Sequence, residues 1–299
     1  MKYARIIAAV AGEPWAIHPL KGEAILDFLI SASSGRKAAA DVLAELEARK
    51  LTKRAEARAA ESRGGVAVIP IHGVMAQRMG ILEQSSGGTS TEEVGQAVTA
   101  AADDPEIKAI ILHIESPGGS VYGMRELSDR IFEARGAKPV IAQVDSYAAS
   151  AAYWAASQAS EIVVSPGGDV GSIGVLTVHD DVSERLAAEG IKRTIVSAGE
   201  HKVEGNPYEP LTDEARATLQ ARVDSAHSDF LDTVARGRGV EAGKVAESYG
   251  RGRMVRDTEA VRAGMADRVA TFAQTLQRFA PQPKGIDTRR ARLAIAERT

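Results

Sequence analysis

The sequence predicts an α/β fold on a mostly parallel sheet, and three observations carry that reading. From Gly64 onward, short β-rich runs alternate with helix-length segments. The links between them are short and punctuated by Gly, Pro or Asp. Parallel strands need helical crossovers of this kind, whereas antiparallel strands do not. From about Asn206 the alternation stops and helical patterns dominate, so a helical C-terminal region follows the sheet.

Each element has a local reason. "GVAVIPIHGVM" is a β-branched run ended by Gly, a buried strand. "TSTEEVGQAVTAAADDPEIK" opens with Thr and Ser ahead of acidic residues, a helix start. "AIILHIES" is the next strand, stopped by "PGG", and "SVYGMRELSDRIFEARG" the next helix. "KPVIAQVD" is the third strand, and "QVDSYAASAAYWAASQASE" continues from it as a helix. "EIVVSPGG" and "GSIGVLTVHDDVSERLAAEGI" repeat the alternation, and "RTIVSAG" reads as one more strand. "LTDEARATLQARVDSAHSDFLDTVARGRG" has a Thr-Asp-Glu start and a Gly stop, a long amphipathic helix. "TEAVRAGMADRVATFAQTLQRFA" is helical with an interruption near Gly264.

Three regions follow. Residues 1–63 form a helix-containing arm, centred on "EPWAIHPLKGEAILDFLISA", and an Ala-rich charged spacer. Residues 64–280 form the main domain, and residues 281–299 a polar basic tail. The apolar run Ile6–Ala11 is shorter than the ~7–15 residues of a secretory core. No stretch reaches the ~20 apolar residues of a membrane-spanning helix. With no cysteine, disulfides and thiolate chemistry are excluded, which fits the cytoplasm. A net charge of −3 gives no reason to expect nucleic acid. The six histidines form no H-x-x-x-H pair, so neither metal nor other cofactor is expected.

Two segments could hold chemistry. "HIESPGGSVYG" places two glycines between a strand and a helix, where backbone amides could hold an oxyanion or simply form a turn. "SYAASAAYW" puts Ser150 at the C-terminal end of a strand, where open α/β sheets bind ligands. By itself this Ala-rich stretch fits a tightly packed helix better than a reactive centre. A serine hydroxyl needs a base, and no G-x-S-x-G elbow is present. Downstream, His179 and Lys202 are the base candidates. A lysine can serve only if its surroundings keep it neutral.

Five segments in order then resemble the S49 peptidases, the signal peptide peptidase A family with its phage and prophage relatives. They are "SPGG" at 116–119, "SYAASAAYW" around Ser150, "SPGGDVGSIGV" at 165–175, "SAGEHKVEGNPYEPLTDEAR" at 197–216 and "GRMVRDTEAVRAGMADRV" at 252–269. The resemblance implies a ClpP/crotonase-like fold of stacked βαβ units. It implies a Ser–Lys dyad, Ser150 as nucleophile and Lys202 as general base. It implies oxyanion donors at Gly119, Gly118 and Ala151, and no cofactor. Ala151–Ala152 stands where the bacterial membrane enzymes have two glycines, a departure that points to the phage-type subgroup. There the expected role is cleavage of scaffold or capsid proteins within the prohead.

The resemblance also implies homo-oligomeric rings, with the helical C-terminal region between subunits and composite sites at the interfaces. Rival readings are leader-peptide degradation, a catalytically silent head component and a non-proteolytic crotonase-like enzyme. His179, beside Asp180 and Asp181, is the rival base, although "VHDDVSERLAAEG" reads more simply as a helix start. Ser146 is a candidate to orient Lys202, and Ser157 and Ser160 are expected to be structural.

Overall fold

The computed structural model describes residues 15–17, 65–79 and 87–279. Most of the expected arm and spacer and all of the expected tail lie outside these residues. Two sheets contribute to the main core, and the larger sheet carries a second, smaller apolar cluster of Val66, Ala109, Ile111, Ile141, Val163 and Ala270. The larger is built in the order β10–β9–β7–β5–β2, with β8 on β7 and β11 on β8. These strands are β2 (Val66–His72), β5 (Ala109–Ser116), β7 (Val140–Ala149), β8 (Glu161–Val164), β9 (Asp169–Gly171), β10 (Met254–Arg256) and β11 (Arg268–Val269). Every pairing is parallel except β10 with β9. The smaller sheet runs β1–β6–β3–β4, from Trp15–Ile17, Gly118–Ser120, Met75–Ala76 and Thr89–Ser90.

Helix α1 (Thr91–Asp103) follows β4, and Ser90 Oγ accepts the Glu93 amide at 3.3 Å as its N-cap. Helix α2 (Met124–Ala137) buries Met124, Leu127, Ile131 and Ala134, the i, i+3, i+7 stripe its sequence shows. The expected strand and helix around Ser150 divide differently. β7 runs through Ala149, and helix α3 covers only Ala151–Ala156. Ala148 and Ala149 extend the strand because they still pair with Val170 and Gly171 of β9.

All six α3 residues are buried. Trp154 stacks on Phe230 with ring centroids 4.4 Å apart and planes 6° apart. Phe230 belongs to α5 (Asp213–Arg238), which Thr212 caps at its start and Gly239 ends in the left-handed conformation. Between them lies the short exposed helix α4 (Ser183–Ala188). Beyond α5 come α6 (Ala242–Ser248), α7 (Asp257–Ala263) and α8 (Phe272–Gln277). Gly264 closes α7 at the expected interruption, but the segment expected to be helical beyond it first forms strand β11 (Arg268–Val269), because these residues pair with Val163 and Val164 of β8.

Two expectations are corrected. Residues 191–198 form no strand; they are exposed along their length and have no neighbouring strand to pair with. Trp15–Ile17, expected within a helical arm, is instead a strand with Ala16 and Ile17 in the interior.

Candidate active site

Ser150 stands at the junction of β7 and α3. β7 carries a bulge on the way: Ile114 faces Val144, yet Ser116 faces Ala148. One residue of β5 therefore spans three of β7, and the bulge re-aims the strand end. Ser150 then adopts φ 55, ψ −117, a conformation most residues avoid. Its amide donates to the Gly171 carbonyl at 2.7 Å. Its carbonyl accepts from Trp154 at 2.9 Å, starting the helix. The side chain is 1% exposed, and Oγ donates to the Gly174 carbonyl at 3.3 Å.

The glycine turn lies directly beside it. Ser116 Oγ donates to the Gly73 carbonyl at 2.6 Å and accepts the Gly118 amide at 3.2 Å. That bond occupies the amide of Gly118, so Gly118 contributes shape where donation is expected. Its φ is +94, and a methyl built on it would sit 2.9 Å from the Ala151 nitrogen and 2.8 Å from the Ala149 oxygen. At Gly119 a methyl would lie 1.8 Å from the Met75 oxygen, so the backbones of β6 and β3 touch without room for a side chain. The Ala151 amide is the first of α3 and has no acceptor within its helix. Gly118 and the Ala151 amide thus lie together beside Ser150, and Gly119 follows as the next residue of β6.

Lys202 is elsewhere in this single chain. It lies exposed on the loop between α4 and α5, and no hydrogen bond joins it to Ser150. The same loop exposes Ile191, Ile195 and Val196, the last at 93%, and Val178 is exposed just before α4. His179 Nε2 bonds to the Asn206 carbonyl at 3.0 Å, not to Ser150. Ser146 donates to Glu115 at 3.0 Å, not to Lys202. Ser157 donates to the Trp154 carbonyl at 2.7 Å and Ser160 accepts the Val140 amide at 3.1 Å, the structural roles expected of them. Among the described residues, His201, Glu204 and Glu214 gather ligand atoms within 4.8 Å, but this is a surface cluster of a kind common without any metal.

The sequence reading missed Gly171 and Gly174, which hold the amide and hydroxyl of Ser150, and missed strand β1. A signal for β1 was available: "EPWAIHP" sets apolar residues between two prolines, a pattern biased towards extended backbone.

No helix of the described residues is long and apolar enough to cross a membrane. The chain is 34% identical to capsid assembly protease C of Escherichia phage lambda over 241 residues, 80% of this chain and 53% of that protein. It is 31% identical to the head-tail preconnector protein GP5 of Enterobacteria phage P21 over 235 residues, 79% of this chain and 46% of that one. The chain spans about half the length of these two relatives. Among solved structures, a ClpP1 mutant from Listeria monocytogenes aligns at 14% identity with a TM-score of 0.42, over 70% of this chain and 94% of that one. The family model described as "Peptidase family S49" matches residues 133–285, a span that takes in both Ser150 and Lys202. With that match and its phage relatives, the chain belongs to peptidase family S49.

Proposed function

We propose that this protein is a serine endopeptidase in which Ser150 is the nucleophile and Lys202 the general base, acting on scaffold or capsid proteins during phage head assembly. The observation that carries the reading is Ser150 itself. It is buried and backbone-strained, and it sits beside an amide without a helical acceptor and a turn that only glycine can make. Strain of this kind persists only where the surroundings enforce it, and it collects at functional sites. The phage setting follows from the two relatives, one a capsid assembly protease and the other a head-tail preconnector protein.

The chemistry uses few parts. Ser150 Oγ attacks a peptide carbonyl as neutral Lys202 takes its proton. The oxyanion is held by the amides of Gly119 and Ala151. Lys202 returns the proton to the leaving amine, and water releases the acyl group. Lys202 reaches Ser150 from a neighbouring copy. Its exposed loop, with Val196 and Ile195 uncovered, fits a surface that becomes buried in an assembly.

The test uses two inactive variants. Ser150→Ala and Lys202→Ala should each lose fluorophosphonate labelling and peptide hydrolysis. Mixed and reassembled in equal amounts, they should regain about a quarter of wild-type activity, the share of neighbour pairs that join an intact Ser150 to an intact Lys202. Unchanged labelling in both variants would sink the dyad. Two inactive variants that stay inactive after mixing would place both groups in one chain.

A further inference from the structure

A strand from upstream of the main domain lies against the glycine turn. β1 pairs antiparallel with β6, Ala16 opposite Gly119 and Ile17 opposite Gly118. On its other edge Trp15 exchanges both backbone hydrogen bonds with Leu176, at 2.8 and 2.9 Å. These three residues are therefore a middle strand between the glycine turn and the segment after β9. Successive residues of a strand direct their N–H and C=O to opposite edges. With Trp15 facing Leu176, Ala16 faces β6.

The Ala16 carbonyl lies at the candidate site. A methyl built on Gly118 would sit 2.2 Å from the Ala16 oxygen and 2.9 Å from the Ala151 nitrogen, so one small gap separates that carbonyl from the Ala151 amide. Ala16 is 0% exposed and Ile17 6%. The segment is held as an extended peptide substrate would be, by backbone bonds on both edges, with one of its carbonyls beside the oxyanion donors.

We propose that this chain is its own substrate and hydrolyses the Ala16–Ile17 bond, with β1 as a tethered substrate strand. The inference rests on the peptidase reading above. Ser150 Oγ bonds to the Ala16 carbonyl carbon and its proton passes to Lys202. The carbon–nitrogen bond breaks as Lys202 hands that proton to the Ile17 nitrogen. Water then attacks the Ala16 ester, restoring Ser150 and leaving a carboxylate on Ala16 and an amine on Ile17. Until that happens β1 occupies the edge of β6 that another peptide would need. Self-cleavage therefore precedes cleavage of anything else. Because Lys202 does not reach Ser150 within one chain, the cut awaits a second copy.

The experiment follows the full-length chain by intact mass and N-terminal sequencing at rising protein concentration, with casein hydrolysis and fluorophosphonate labelling in parallel. The expected result is a fragment ending at Ala16 and a larger one beginning at Ile17, formed faster at higher concentration and absent from Ser150→Ala. Casein hydrolysis should begin after a lag that tracks the cut. In Ala16→Trp, whose side chain cannot enter the buried position, the lag should vanish and the bond stay whole. A wild-type chain that labels at Ser150 and digests casein with residues 16 and 17 still joined overturns self-cleavage while leaving the peptidase reading intact. A cut that persists in Ser150→Ala overturns it as well. Absence of labelling, digestion and cut together removes the peptidase reading and this inference with it.

Discussion

The backbone amide of Ser150 donates a 2.7 Å hydrogen bond to the carbonyl oxygen of Gly171. This bond ties the end of β7 to the end of β9. It holds Ser150 at φ 55, where an L-residue pays a conformational penalty. Gly171 itself has φ 125, and a methyl there would lie 2.7 Å from the Arg253 oxygen, so the partner strand is as constrained as the serine.

Ser150→Gly should therefore stabilise the fold while abolishing activity. Glycine adopts positive φ without the steric cost, which offsets its greater freedom in the unfolded chain, for a net gain of about 1 kcal/mol. Thermal unfolding should shift up by about 2–4 °C for a domain of this size. Ser150→Ala keeps the Cβ, and so the strain, and should show no such gain. Calorimetry on the two variants separates the effects; equal midpoints would show that the positive φ costs nothing here.

Gly118→Ala should remove activity and lower stability together. Its methyl would sit 2.2 Å from the Ala16 oxygen and 2.9 Å from the Ala151 nitrogen, between the Ala151 amide and the carbonyl it is proposed to hold. Loss of one oxyanion donor costs about 100-fold or more in rate, and blocking access to Ala151 should cost at least that. Circular dichroism should show a folded chain, with a lower midpoint from the alanine forced to φ +94. Peptide hydrolysis within threefold of wild type would mean that Ala151 is not a donor.

Arg238 and Asp267 should impose a pH limit on stability. Arg238 Nη1 and Nη2 donate to the two Asp267 oxygens at 2.9 and 2.8 Å, and the Ile162 amide adds a third bond at 2.7 Å. Burial works to raise the Asp267 pKa, but the Arg238 and Ile162 hydrogen bonds outweigh it and hold the carboxyl below its usual value. A depressed carboxylate contributes stability that is complete above its unfolded pKa of about 3.9 and lost as pH falls through the lower folded value. Asp267 is partly exposed, so screening reduces the full value of a buried pair. Asp267→Asn should cost about 2 kcal/mol at neutral pH in urea unfolding, with the difference from wild type shrinking below pH ~4. A difference that stays constant across that range would assign the cost to packing alone.

Much of this architecture was legible in local sequence. Periodicity placed β2, β5, α1 and α2, and Thr212 and Gly239 marked the ends of α5. These are decisions made over a few residues by side-chain pattern and capping. Five ordered motifs singled out Ser150 among the four serines of its segment. What local pattern could not reach was the boundary at Ala149. "SYAASAAYW" suits strand and helix alike, and the β9 strand, twenty residues on, holds its first half extended.

Sequence by itself determined the alternation of strand and helix and the family, because those are properties of neighbours and of spacing along the chain, whereas Gly118–Ser120, read as a turn, is strand β6. Tertiary structure decided where a distant segment comes to rest. It turned Ser150 to φ 55, gave the Gly118 amide to Ser116, left Lys202 at the surface and set Ala16 beside Gly118. Each of these depends on backbone groups that every residue shares. A carbonyl or an amide leaves no mark in the amino-acid alphabet, so only the fold could show which of them meet.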